Sequence, residues 1–275
     1  SCVTRVEVNG EKKSFNQLGE KRMRRITGRL TKTEYEEPNT QKRWLSRVPY
    51  DVTDIFDEWD QDFLGQIVLP TSETVQAHHF AYNRASDEVI IDAALGTAYT
   101  GEDGVDPVPL PLDRIVPVDY VHAGSSVNSG LTIPKLIEIK SLFGKANVDD
   151  GEEIFFVHTQ QQLDDLLMTT QATSSDYAAV KALVDGTINR FLGMTFIRTE
   201  LLPLDADSDI RTCFAFVRRG IKFNDSGRQV HMDIRPDLRH ALQIRTKALL
   251  GAVRMEEGLV AAVLCDESPA STGGE

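Results

Sequence analysis

The chain has 275 residues, 41% hydrophobic and 26% charged, which is globular material for one large or two modest domains. No apolar run approaches the roughly 20 residues that a membrane-crossing helix needs. The first residues do not read as a signal peptide, and Cys2, Cys213 and Cys265 are too dispersed for a disulfide framework or a zinc site.

Charge is unevenly spread along the chain. Residues 1–50 hold twelve Lys/Arg against six Asp/Glu, whereas the rest carries eighteen against thirty-six. A basic front on an acidic body points to nucleic acid or to contacts between copies. A dedicated nucleic-acid binder would be basic on its folded body as well, so an acidic neighbour is the better match.

Residues 1–19 (SCVTRVEVNGEKKSFNQLG) are polar and weakly patterned, which predicts an extended arm. From Lys21 to Asp60, strand-like stretches flank the Pro38-Asn39 turn signal, predicting a long hairpin with sparse apolar residues. Two strands alone are marginal in water, so this hairpin is expected to rest on something else, with another chain as the candidate. Residues 71–96 form the clearest helix, with Ser72 in its cap region and Gly96 as its stop. Val75, His78, Tyr82, Ala85, Val89 and Ala93 share one face. Ala85 on that face should leave no room for a larger residue.

Proline-rich strands (VPLPLDRIVPVDYVHAG) and a GSSVNSGLT link follow. IPKLIEIKSLFGKANV reads as an amphipathic helix with Pro134 in its first turn. EIFFVHT reads as a buried strand, QQQLDDLLMTT as a short helix, and SSDYAAVKALVDG as a capped helix. MTFIRTELLPL, TCFAFVRRGIKFN and parts of the 231–267 stretch read as strands, and SPASTGGE as a disordered end. Helices and strands mix without βαβ alternation, so the fold class expected is α+β.

A catalytic constellation is missing from this pattern. Adjacent His78 and His79 point about 100° apart on a helix and lack the i, i+4 spacing of a zinc pair; a packing or interface role is expected. His158 ends a strand and is expected to cap the helix after it. There is no nucleophile elbow and no phosphate loop of the usual patterns. The cluster KRMRRITGR lacks the aromatics of single-strand binders. On the returning strand, Arg43, Trp44, Arg47 and Tyr50 read as interface anchors, an aromatic core flanked by arginines. With Arg24, Arg25 and Arg29 they are the candidate inter-subunit contacts. No catalytic residue, cofactor or metal is expected.

Several stretches resemble a family of tailed-bacteriophage major capsid proteins. They are SRVPYDVTDIFDEWD with PTSETVQA, then SDEVIIDAALGTAYTGEDG, GLTIPKLIEIKSLF, QQLDDLLMTTQATSSDYAAVKALVDGTINRFLGMTFIRTELLP and GAVRMEEGLV. They cover about two thirds of the chain in the family's order. The resemblance implies the Hong Kong 97-type capsid fold, divided into an N-terminal arm (1–19), an E-loop hairpin (20–66), a peripheral domain with a spine helix and extended loop (67–132), an axial domain (133–229), and a return to the peripheral domain with the tail (230–275). The short arm also suggests that a preceding segment has been removed.

It implies further that the chain is not an enzyme but the self-assembling shell protein of a phage head, forming hexamers and pentamers. Such a shell is put together in the host cytoplasm and becomes part of the virion. The partners implied are other copies, a portal protein at one vertex, scaffolding and cement or decoration proteins, and enclosed double-stranded DNA bound without sequence specificity; no membrane is involved. An encapsulin-like nanocompartment shell is the alternative of similar fold, and an α+β enzyme with an unrecognised site is the alternative of another class.

Overall fold

The computed structural model describes residues 2–18, 23, 25, 28, 40–57, 73–121, 127–148, 151–169 and 189–268. The expected strand RRITGRL, the Ser72 cap and the helix SSDYAAVKALVDG lie wholly or mainly outside them. Within them, helices and strands alternate irregularly, as α+β requires. No described helix is long and apolar enough to cross a membrane.

The longest helix, α1 (Glu73–Leu95), spans about 35 Å at 1.5 Å per residue. It lies on β15 (Ala241–Arg254) and β13 (Ile221–Asp225). Its sheet-facing side carries His78, Ile91 and Ala94, all buried, with Tyr82, Ala85 and Val89 half-buried beside them. Tyr82 hydrogen-bonds to Asp225, and burial together with that carboxylate pushes the phenol up to about 12. The face predicted from helical spacing is thus the one buried. Room at Ala85 differs from expectation: a cavity of about 90 Å³ lined by Tyr50, Ala81, Tyr82, Ala85, Thr246 and Leu250 lies there. Ala85→Leu is therefore expected to fill space and raise stability by about 0.5–2 kcal/mol, where a tight contact would make it cost about 1–3. A higher urea midpoint at unchanged slope is the check.

Three sheets are built from the described strands. In the five-stranded sheet, β15 pairs antiparallel with β14 (Gln229–Arg235) and β13 along one edge, and with β4 (Val48–Phe56) along the other. Next to β13 lies β1 (Thr4–Arg5), in parallel. Val6 N–H donates to Phe223 O at 2.9 Å, and Asn224 Nδ2 donates to Val6 O at 2.8 Å. Val3 and Val8 are buried. The start of the expected extended arm is thus stitched to its own sheet.

The seven-stranded sheet runs β7 (Ile115–Val116), β16 (Val260–Asp266), β12 (Ile210–Val217), β8 (Ile154–His158), β10 (Met194–Arg198) and β9 (Arg190–Phe191), with β11 (Leu204–Asp205) on β12. Helix α2 (Ile133–Lys145) packs on β16 and β7, and α3 (Gln160–Thr169) sends Leu163 and Leu166 into the core. Phe155, Phe156, Phe196, Phe214 and Phe216 fill that core. Cys213 and Cys265 are free and buried on neighbouring strands, and burial pushes the Cys213 thiol well up. Buried Lys135 of α2 donates to the carbonyls of Ser129, Gly130 and Leu264 at 2.6–3.0 Å, which fixes the 129–130 stretch to β16.

Strand pairing divides the chain differently from the expected boundary at 229/230. β13 and β14 flank β15 in the five-stranded sheet, whereas β16 joins the 154–217 strands. A sequence cut assigns a strand by its neighbours in the chain, but hydrogen bonding assigns it by its partner.

Candidate functional site

The four-stranded sheet, β2 (Lys12–Leu18), β3 (Thr40–Ser46), β5 (Ala98–Thr100) and β6 (Asp106–Val108), holds most of the candidate residues. Strand alternation sends Arg43 and Leu45 to one face and Trp44 to the other. Leu45 is fully buried against Val8, Ala98, Val253 and Met255. The support that the hairpin was expected to need is, at its base, its own chain rather than the second chain offered as the candidate. That expectation placed the hairpin at 20–66; its described paired strands are instead 12–18 and 40–46, and β4 belongs to the neighbouring sheet.

Arg43 is only 2% exposed. Its Nε donates to Gln17 Oε1 at 3.2 Å and its Nη2 to Glu257. Arg254, fully buried, lies 3.9 Å from the same carboxylate. Its Nη1 donates to Ala94 O and Gly96 O, both at 2.8 Å, and its Nη2 to Val108 O at 2.9 Å. The first two are carbonyls at the end of α1, where the helix dipole is negative and acceptors lack helical partners, and the third ends β6. Two buried guanidiniums are thus balanced by one carboxylate and one helix end.

Trp44 donates from Nε1 to Gly101 O at 2.8 Å. The turn beneath it needs glycine: Gly101 and Gly104 have φ of +94° and +69°, and a Cβ on Gly104 would come within 2.6 Å of the indole. Tyr99, 49% exposed, sits directly across from Trp44. Arg47 donates from Nη2 to Gly10 O. Tyr50, 37% exposed on β4, faces the same cleft of about 250 Å³ as Trp44 and Tyr99. Tyr50 and Trp44 are thus brought together, Arg43 is held inside the subunit, Arg47 is half-buried, Arg25 is exposed, and Arg24 and Arg29 lie outside the described residues. Tyr99 and Asp92 complete the cleft and were missed; the turn-rich GTAYTGEDG that follows the helix was the available signal.

The histidines resolve separately. His78 Nε2 lies 3.0 Å from Asp54 Oδ2 and its Nδ1 2.9 Å from Thr246 Oγ1. Beside a carboxylate, which accepts, Nε2 is the donating nitrogen, and the threonine hydroxyl can either donate to Nδ1 or accept from it. This buried bridge ties α1 to β4 and β15. His78→Leu keeps the bulk but orphans the Thr246 hydroxyl, and should cost about 2 kcal/mol, read by urea unfolding; His79→Gln should cost nothing measurable, since exposed His79 bonds only to Asn83 in its own helix. His158 is not the cap expected of it. Thr159 and Gln162 cap α3 instead, the Gln162 side chain accepting from Thr159 N at 3.0 Å, as the third helical residue does in a capping box. His158 stacks on Phe156 and meets Phe196 at a tilt, and burial lowers its pKa. Among the described residues no three His, Cys, Asp or Glu side chains converge as for a metal.

A family model described as phage capsid protein matches residues 1–267. The chain belongs to that phage capsid protein family. Solved structures with the same fold include the capsid of Ralstonia phage GP4 (9% identity, TM-score 0.70, 98% of this chain and 89% of that one). The head of Helicobacter pylori bacteriophage KHP40 (10%, 0.67, 96% and 88%) and Mycobacterium phage Che8 (16%, 0.63, 93% and 85%) share it. No curated protein matches the chain by sequence. This capsid protein has the Hong Kong 97-type fold, is the major subunit of a phage head shell, and resides in the virion.

Proposed function

We propose that this capsid protein closes its shell as hexamers and pentamers, with the basic stretch Lys21–Arg29 reaching acidic surfaces of adjacent copies. The observation that carries the reading is the anchored hairpin base. β2 and β3 are held by the subunit's own core, and twenty-one residues separate Leu18 from Thr40. A closed shell repeats a few contacts many times, so each can be weak. Arg24, Arg25, Arg29, Trp44 and Tyr50 are the proposed contact groups, while buried Arg43 and half-buried Arg47 brace the base within the subunit.

The acidic body avoids gripping double-stranded DNA, whose binding requires neutralised phosphates. A portal protein at one vertex, scaffolding and decoration proteins complete the partners this reading calls for, and no catalysis is assigned to the subunit. The Asp54–His78–Thr246 chain looks like a relay, but Thr246 lies buried beneath α1 and offers no nucleophile to a substrate.

Electron microscopy of the purified protein tests the reading: icosahedral shells are expected, and a monodisperse monomer under all conditions overturns it. Exposed charge contacts are screened beyond about 10 Å at 0.1 M salt, so assembly should weaken as salt rises. An Arg24, Arg25, Arg29→Ser variant should show that defect already at low salt. If it assembles normally but fails to retain DNA, the cluster faces the genome.

A further inference from the structure

The cleft beside Trp44 is lined by three aromatic residues, Trp44, Tyr50 and Tyr99, with Val48, Asp92 and Arg254. Its volume of about 250 Å³ suits one long side chain rather than a whole small-molecule ligand, whose sites are typically 300–1,000 Å³. Arg254 is committed to three carbonyls and stands beside Glu257. That leaves Asp92 as the charged group lining the cleft that is available to an incomer. Aromatic faces beside a carboxylate select a cation, and a planar guanidinium can stack on the rings while its fork meets the carboxylate.

We propose that this cleft seats an arginine of a second copy, delivered by the Lys21–Arg29 stretch. The inference rests on the self-assembly reading and names the place where one copy meets the next. Charge favours this occupant, because KRMRRITGR holds five cations in nine residues and no carboxylate. Geometry favours delivery from another copy. The stretch leaves the sheet at the Leu18/Thr40 end, whereas the cleft opens at the opposite end of β3, among Trp44, Ser46 and Val48. To fill its own cleft the chain would have to double back along its own strand. Folded back on itself, a segment of this length reaches on the order of 30 Å beyond the sheet, which is enough to cross to a neighbour.

The test titrates a peptide of residues 20–31 (EKRMRRITGRLT) into dissociated subunits carrying Trp59→Phe, so that Trp44 is the only fluorescent indole. A saturable change in Trp44 emission is expected. It should weaken at least tenfold with Asp92→Asn/Tyr99→Ala subunits, and likewise when the four peptide arginines (Arg22, Arg24, Arg25 and Arg29) are replaced by serine. Unchanged circular dichroism and urea midpoint confirm that the double variant is folded; if it is not, Asp92→Asn alone serves. No binding to the parent subunit, equal binding to the cleft variant, or equal binding of the serine peptide overturns the assignment. If shells of the unaltered protein are seen alongside such a result, the cleft assignment fails and the assembly reading stands. If the unaltered protein forms no shells, the assembly reading itself fails.

Discussion

Arg254→Met should destabilise the subunit by about 3–5 kcal/mol, the range for breaking a buried charge pair by removing one partner. The methionine fills much of the arginine's volume, so the loss is electrostatic and polar rather than a cavity. Ala94 O and Gly96 O at the end of α1 and Val108 O on β6 lose their donor, and the helix end keeps its negative dipole with nothing to meet it. Glu257 keeps Arg43 but loses its second cation. Urea unfolding of the unassembled subunit measures this, with a lower midpoint at unchanged slope expected. A loss below about 1 kcal/mol would show that water satisfies those carbonyls as well as Arg254 does, and that the guanidinium is not what holds the helix end.

Gly251→Val should cost about 3 kcal/mol, at the upper end for overpacking, and should abolish shell assembly even where the subunit survives. At Gly251, just past its pairing with β4 and still paired with β13, β15 lies against the hairpin base. A Cβ there would come 2.5 Å from Ser46 O and 2.9 Å from Leu45 Cδ2. The backbone oxygen cannot move without unpairing β2 from β3, because Ser46 faces Lys12 in that ladder. The strain therefore falls on the joint that aims the basic segment at a neighbour. Particle counts by electron microscopy, together with urea unfolding, read both effects. Normal particles from a subunit of parental stability would show that the base does not need to be fixed. Gly251→Ala, carrying the same Cβ with less bulk beyond it, should give a smaller defect of the same kind.

The spine helix was legible from the chain alone. Its three- and four-residue spacing and its stop at Gly96 are local signals, and the structure places the helix at Glu73–Leu95. The strands at 154–158 and 194–198 and the helix around Pro134 were legible for the same reason, and the order of several stretches carried the family. The candidate site was half legible. Trp44 and Tyr50 were named, but Tyr99 and Asp92 join them only because β5 pairs with β3 and the end of α1 lies behind it.

What the amino-acid order determined by itself was what depends on residues a few places apart: helix period, strand alternation, caps, turns and the charge contrast between front and body. What only the tertiary structure decided were partnerships between distant residues. Arg43 looked like a surface anchor because strand alternation does not tell which face meets a core, and Glu257, 214 positions away, turned out to hold it. His78 was expected to pack or to face a neighbour, but its partner Thr246 lies 168 positions away. The arm read only as extended, yet β13 pairs with it, and β16 left its chain neighbours for β12. The physical reason is common to all four. A buried polar group or an unpaired strand must find a partner, but which partner it finds is set by the packing of whole sheets, and no short window of sequence contains that.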